Sequence, residues 1–193
     1  MTLDDKARAH LAKARPAAIS DAMERLGMPR TVIVGFGGTR PQGGAVVGTA
    51  YTIRQVPKHF PAQHDQRLTR HKEASTSLAQ PGDFVVVDAN ARMDIASWGG
   101  NHSARCHGRG VAGVLINGCT RDSDEIRAMG FPAFYLGTSP IASQWNQETA
   151  ELNGIVVVGG VQIRPGDIIV GDGDGLVVLA PEQLPAILTE LKP

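Results

Sequence analysis

Hydrophobic positions near the N-terminus recur at helical spacing. Leu3, Ala7, Leu11 and Ala14 fall on one face of an amphipathic helix, which Pro16 ends because it lacks the N–H an interior position needs. A second short helix is expected over 19–26, closed by Gly27. Over 32–34 and 46–53 the pattern changes to β-branched runs bounded by glycine, which predicts two strands around a turn-forming stretch at 35–44. Positions 67–79 read as helix. Strand and helix then alternate: strand 84–88, helix 103–109, strand 111–116, helix 122–129, strand 133–136. Such alternation favours a parallel sheet layered with helices. After Trp145 the apolar runs 155–158, 167–170 and 176–179 stand only a few residues apart. They leave no room for crossover helices, so they are expected to pair in a second, largely antiparallel or mixed sheet. Pro181 opens a closing helix through 191. The fold class expected is α/β, with two sheet layers and helices on one side.

Composition narrows this picture. Glycine (23) and proline (12) recur singly between apolar runs rather than in a linker, which implies many short elements and no domain boundary within 1–193. At 193 residues and 42% hydrophobic content, one globular unit can bury a core. Nineteen basic residues balance nineteen acidic ones, and no Lys/Arg run is interleaved with aromatics, so neither nucleic acid nor an anionic membrane is an expected partner. No apolar stretch approaches the roughly 20 residues a bilayer demands, and 1–15 reads as a charged helix rather than a signal sequence. A cytoplasmic location is the expectation. Cys106 and Cys119 lack a paired spacing for zinc and read as ordinary thiols.

Two constellations could carry chemistry. Gly99, Gly100, Asn101, His102, Ser103 and Ala104 form a turn that feeds a predicted helix. Unpaired N–H groups at the positive end of a helix dipole are a seat for a carboxylate or phosphate, although an ordinary helix start capped by Ser103 reads equally well. The second is the run 117–125, following an apolar strand, where ligands of parallel α/β layers bind. If the helix begins near Asp122, then Asp122 and Glu125 share a face and can address one hard cation, with Arg121 holding a carboxylate or enolate oxygen beside it. Acidic residues also suit the first turn of any helix. Other motifs are weaker. The run 35–40 lacks the third glycine and the helix of a dinucleotide fingerprint, and 172–175 reads as a hairpin turn rather than a calcium loop. His59, His64, His71, His102 and His107 show no zinc-binding pair spacing, and His102 alone is placed to touch a ligand.

The order and spacing of these blocks resemble the RraA-like family, which groups 4-hydroxy-4-methyl-2-oxoglutarate aldolases with the regulator of ribonuclease activity A. The likeness lies in Gly99 to Ala104, Gly110 to Gly113, Val114 to Ile116 and Gly118 to Asp122. Flanking blocks agree: Ile19-Ser20-Asp21-Ala22, the stretch from Gly48 to Arg54, Pro81-Gly82-Asp83, and Arg164-Pro165-Gly166-Asp167. The resemblance implies a layered β/β/α fold of swivelling-domain type, with a mixed central sheet and helices on one side. It further implies that Arg121 binds a pyruvyl moiety, that Asp122 holds Mg2+ or Mn2+, and that the 100–104 amides take the substrate carboxylate. Many aldolases of the family carry an acid twenty-one positions before the arginine, where this chain has Gly100, and an aspartate where it has Asn117. Glu125, or failing it Asp124, is expected to supply the missing carboxylate. Retention of Asp122 favours the enzymes over the regulator.

The activity so implied is cleavage of a 4-hydroxy-2-oxo acid to pyruvate, with oxaloacetate decarboxylation on the side. Arg121, Asp122 and Glu125 are the catalytic set, Glu125 orienting the water that removes the C4 hydroxyl proton. A Schiff-base aldolase would need a desolvated lysine at a strand end, whereas Lys6, Lys13, Lys58, Lys72 and Lys192 fall in predicted helices, a loop or the tail. A non-catalytic protein-binding regulator of ribonuclease activity is the alternative. The resemblance also implies a homotrimer or homohexamer.

Overall fold

A computed structural model describes residues 3–41, 43–58 and 70–191. The N-terminal helix α1 (Asp5–Arg25) joins both predicted segments end to end and breaks at Arg15, whose φ of 68° and ψ of 162° lie outside the helical region. The cause is Pro16, which denies the residue before it a helical conformation. Asp4 caps the helix, its Oδ1 accepting from the Ala7 N–H at 2.7 Å. Strands β1 (Val32–Ile33), β2 (Gly37–Thr39) and β3 (Val46–Pro57) follow. The 35–44 stretch is therefore not all turn, because β2 forms a sheet edge. At Gly38 a Cβ would sit 1.9 Å from the Ala133 carbonyl oxygen, so only glycine permits this approach. The described part of the predicted 67–79 helix is one short turn, α2 (His71–Glu73), continued by a wider π-type turn over Ala74–Leu78. Positions 67–69, like His59, His64 and Lys192, lie outside the described residues.

The middle of the chain holds β4 (Asp83–Trp98), α3 (Gly100–Gly108), β5 (Gly113–Thr120), α4 (Ser123–Ala128) and β6 (Ala133–Thr138). Both β4 and β5 run well past their expected ends, and α3 starts at Gly100 rather than Ser103. The chain closes with β7 (Gln147–Leu152), β8 (Val156–Val158), β9 (Val161–Ile163), β10 (Ile168–Gly171), β11 (Leu176–Leu179) and α5 (Leu184–Glu190).

The main sheet runs β1-β11-β10-β3-β4-β5-β6-β2, with β7 also paired to β3. Its centre, β3 to β6, is parallel, and its flanks are antiparallel. The expected second sheet of three C-terminal strands is corrected here: β10 and β11 belong to the main sheet, and only β8 leaves it, hairpinned to β9. Burial on both faces explains this. Ile168, Val170, Val177 and Leu179 pack on α1 and α5, while Ile169, Leu176 and Val178 pack on the hairpin, as an interior strand requires.

Alternation sorts the layers. Phe84, Val86, Leu115 and Phe134 face the β8–β9 hairpin, with the Phe84 and Phe134 rings 6.1 Å apart. Val85, Val87, Val114 and Ile116 face Cys106 of α3 and Ile126 of α4. The result is a layered α/β fold with a mixed central sheet, helices on one side and a two-stranded layer on the other. No described helix is long and apolar enough to cross a membrane.

Candidate active site

Two parallel strands end side by side, Trp98 of β4 opposite Thr120 of β5. The chain leaves each into a helix, Gly99 leading to α3, and Arg121 with Asp122 leading to α4. The Arg121 N–H donates to the Trp98 carbonyl at 3.1 Å and ties the two exits together. Asp122 sits in the left-handed region (φ 56°, ψ 35°), which aspartate tolerates better than most side chains. It holds the N-cap position of α4, yet its carboxylate makes no capping bond there. Instead Oδ2 accepts from the Gly100 N–H at 3.1 Å and lies 3.5 Å from Arg121 Nε.

Both positions facing this carboxylate are crowded for any side chain. A Cβ at Gly99 would lie 3.0 Å from Arg121 Cγ and from Asp122 Oδ2. At Gly100 it would meet Glu125 Oε2 at 2.5 Å and Asp122 Cβ at 3.2 Å. The Glu125 carboxylate thus fills the room into which an acidic side chain at position 100 would project.

A cavity of about 230 Å³ opens in front of this junction, and Gly99, Asn101, His102, Arg121 and Asp122 line it. Other proposed site residues stand elsewhere. Glu125 lies against Gly100, outside the lining, and so does Ala104. Ser103 is fully buried inside α3, where its hydroxyl accepts from Trp98 Nε1 at 2.9 Å, so it is not the helix cap. Its N–H already bonds the Gly99 carbonyl at 3.1 Å. In the first turn of α3 this leaves the Asn101 and His102 amides without a partner among the described residues.

The lining also includes His71 and Lys72 of α2, Arg105 one turn along α3, and 142–144 beyond β6. Its histidines form a stack. The His102 ring lies 4.9 Å from the Trp98 ring and 5.2 Å from that of His71. His71 is buried, and its Nδ1 has no partner among the described residues. Burial, with a smaller contribution from Lys72, lowers its pKa to about 4. Burial first, then His71, Arg105 and Arg121, lowers that of His102 to about 3. Both rings are therefore neutral near pH 7. His102 Nδ1 meets Ser75 Oγ at 2.8 Å, and that hydroxyl also lies 2.9 Å from the Lys72 carbonyl. His71, Lys72, Ser75 and Arg105 escaped the sequence reading. Only Arg105, three residues after His102 on one helix, left a signal that spacing could have found. Neither thiol enters the cavity lining: burial pushes Cys106 up to about 12 and raises Cys119, whose Sγ donates to the Met93 carbonyl at 3.2 Å.

The model of the RraA-like family, Aldolase/RraA, matches residues 16–178. The chain belongs to this family. Among its relatives, a protein of Deinococcus radiodurans named "Putative 4-hydroxy-4-methyl-2-oxoglutarate aldolase" is 35% identical over 167 residues, covering 85% of this chain and 93% of the other. An uncharacterized protein of Methanocaldococcus jannaschii is 40% identical over 111 residues, or 56% of this chain, which spans only 53% of that relative. Among solved structures, Streptomyces coelicolor RraAS2, described as an unusual member of the RNase ES inhibitor RraA protein family, superposes with a TM-score of 0.79. Identity is 28%, and the match covers 98% of this RraA-like chain and 91% of RraAS2.

Proposed function

We propose that this RraA-like protein is a divalent-metal-dependent aldolase that cleaves a 4-hydroxy-2-oxo acid to pyruvate and a second carbonyl compound, with oxaloacetate decarboxylation as a side activity. One observation carries the reading: Asp122, on a left-handed residue, turns its carboxylate away from its own helix to meet Gly100 and Arg121 at the mouth of a cavity. A purely structural N-cap would bond the amides of its own first turn.

The donor set suits a hard cation. Among the described residues no group of three or more His, Cys, Asp or Glu side chains is clustered for a metal. Two carboxylates converge on Gly100, those of Asp122 and Glu125. Oxygen donors in so small a number match Mg2+ or Mn2+ and the habit of Mg2+ of keeping several waters. When bound, the ion supplies Lewis acidity toward the 2-oxo group as the carbon–carbon bond breaks. Arg121 sets a fixed positive charge beside the oxygen on which enolate charge develops. The free Asn101 and His102 amides at the positive end of α3 receive the C1 carboxylate. The aldolase names given to relatives support the same reading.

Pyruvate release from oxaloacetate and from 4-hydroxy-4-methyl-2-oxoglutarate, with EDTA and with added Mg2+, tests the proposal. Turnover that EDTA abolishes, Mg2+ restores and Arg121→Ala loses is expected. Absence of metal-dependent turnover favours the protein-binding regulator, the reading to which the likeness to RraAS2 lends support. Lys72 lines the cavity, so borohydride reduction in the presence of pyruvate is a needed control; a trapped adduct on Lys72 would replace the metal mechanism with a Schiff base. Assembly as a homotrimer or homohexamer is part of the proposal. Ile141 (53% exposed) and Trp145 (50% exposed) flank the cavity residues 142–144 and give a neighbouring subunit an apolar surface, and light scattering on the purified protein measures the mass.

A further inference from the structure

The imidazoles of His71 and His102 are not used by the chemistry above, and the hydrogen bonds around them determine what they offer. Ser75 has a single hydroxyl proton and two neighbours within bonding distance, the Lys72 carbonyl at 2.9 Å and His102 Nδ1 at 2.8 Å. A carbonyl cannot donate, so that contact is a hydrogen bond only if Ser75 gives its proton to Lys72. The remaining contact is then a bond only if His102 donates from Nδ1. One arrangement satisfies both. It places the imidazole proton on Nδ1 and leaves Nε2 as a lone-pair acceptor with no partner among the described residues.

This acceptor belongs to a ring held on three sides, by Ser75, by the Trp98 face and by His71. Ser75 is itself fixed on the π-type turn Ala74–Leu78, a geometry often found at functional sites. The next imidazole, His71, presents a buried Nδ1 without a partner among the described residues. An unmade hydrogen bond on a group this buried destabilises the fold unless a ligand or water completes it. The lining thus offers one lone-pair acceptor, His102 Nε2, beside the donors of Arg121, Arg105 and the α3 amides. A ligand fitted to both carries acidic oxygens at one end and a hydroxyl at the other.

We propose that His102 Nε2 accepts a hydrogen bond from the C4 hydroxyl of the 4-hydroxy-2-oxo acid, and that Ser75 is the positioning residue that holds the imidazole in the tautomer able to do so. This rests on the aldolase reading and extends it, assigning the hydroxyl to a side chain inside the cavity rather than to Glu125, which lies outside the lining. His102 is weakly basic at this site, so it orients the hydroxyl and does not take its proton, which passes to water as C4 becomes a carbonyl and is returned at C3 of the pyruvate enolate. The C3–C4 bond is thereby directed for cleavage. Oxaloacetate has no such hydroxyl and gains nothing from the contact.

The test is the ratio of two kcat/KM values, for 4-hydroxy-4-methyl-2-oxoglutarate cleavage and for oxaloacetate decarboxylation, measured with Mg2+ on the full chain, on His102→Phe and on Ser75→Ala. A ratio is insensitive to the fraction of correctly folded protein. Phenylalanine keeps the ring stack and removes the acceptor, so the ratio should fall about 10- to 100-fold, the range of one lost hydrogen bond to a substrate. Ser75→Ala should lower it by about 3- to 10-fold, because the ring is then free to change tautomer. An unchanged ratio in both variants overturns the inference and leaves the aldolase reading standing. A parent protein that turns over neither substrate overturns both.

Discussion

Filling the space above Gly100 tests whether Glu125 truly stands in for an acid at that position. Gly100→Ala is normally a stabilising change in a helix, by about 0.5–1 kcal/mol, since alanine loses less backbone entropy on folding. Here the new Cβ would lie 2.5 Å from Glu125 Oε2 and 3.2 Å from Asp122 Cβ. The first distance is far below contact, so the Glu125 carboxylate must rotate away; it is the exposed tip of a flexible side chain and can do so at small cost. The second asks the backbone of Asp122 to yield by a few tenths of an ångström. These costs should cancel the helical gain in the parent background and leave a net change near zero. With Glu125→Ala the main obstruction is gone, and Gly100→Ala should then stabilise by about 0.5 kcal/mol or more. The two changes are therefore coupled, at about 0.5–1 kcal/mol, which urea unfolding of the four proteins in a double-mutant cycle resolves. Activity should follow the same logic: each single change displaces or deletes the same carboxylate, so both lower metal-dependent kcat/KM and the double variant falls little further. Strict additivity in stability would refute the packing argument, and a fully active Glu125→Ala would remove Glu125 from the cation site.

Three further outcomes follow from the same geometry. Arg121→Lys should lose activity nearly as severely as Arg121→Ala, by about 100-fold or more in kcat/KM, because a point charge does not replace a planar fork beside a developing oxyanion; steady-state kinetics decides it. His71 is neutral and buried with its pKa lowered to about 4, whereas the unfolded chain titrates near 6.5. Between those values the unfolded state binds more protons, so its contribution to stability is complete above pH 6.5 and is lost as pH falls toward 4, by about 3 kcal/mol in all; urea midpoints across pH 4–7 should show this slope, and His71→Phe should reduce it by about one proton. Cys106 is fully buried with its thiol pushed up to about 12, so alkylation at pH 8 should modify it only on unfolding, which mass spectrometry with and without urea would read.

Much of the fold was legible because burial on one or two faces imposes its period on the chain. The strand–helix alternation from Phe84 to Leu136 is the parallel half of the sheet, and its helices cover the face the apolar pattern leaves for them. The second half of β4 was not legible. Asn90 and Ala91 adopt positive φ, Arg92 pairs with Asp94, and the register to β5 shifts three times between Asp88 and Trp98, so no period of two survives. The polar run of β7 hides its pairing with β3 for a similar reason. Assigning β10 and β11 to a separate sheet failed on distance: their short connections restrict how consecutive strands pair but say nothing about the partner on the other side, and β3 takes that place.

The candidate site divides along the same line. Arg121 and Asp122 follow directly from an apolar strand, and a loop at such a strand end is legible as a ligand position. Their consequence for Gly100 is not, because it depends on the spacing of neighbouring parallel strands, about 4.8 Å, which brings two chain exits close enough for one carboxylate to serve both. Once the exits are that close, a side chain at 99 or 100 crowds Asp122, Arg121 or Glu125, so the two glycines reflect tight packing at the site rather than a flexible loop. The histidine stack lies further beyond sequence reasoning. His71 and Ser75 reach His102 only because the π-type turn and the start of α3 pack against each other, a contact between segments 27 residues apart that carries no periodic signature. Arg121 and the α3 amides follow from local sequence, the orientation of the His102 ring from tertiary packing, and only the folded chain brings both to one cavity.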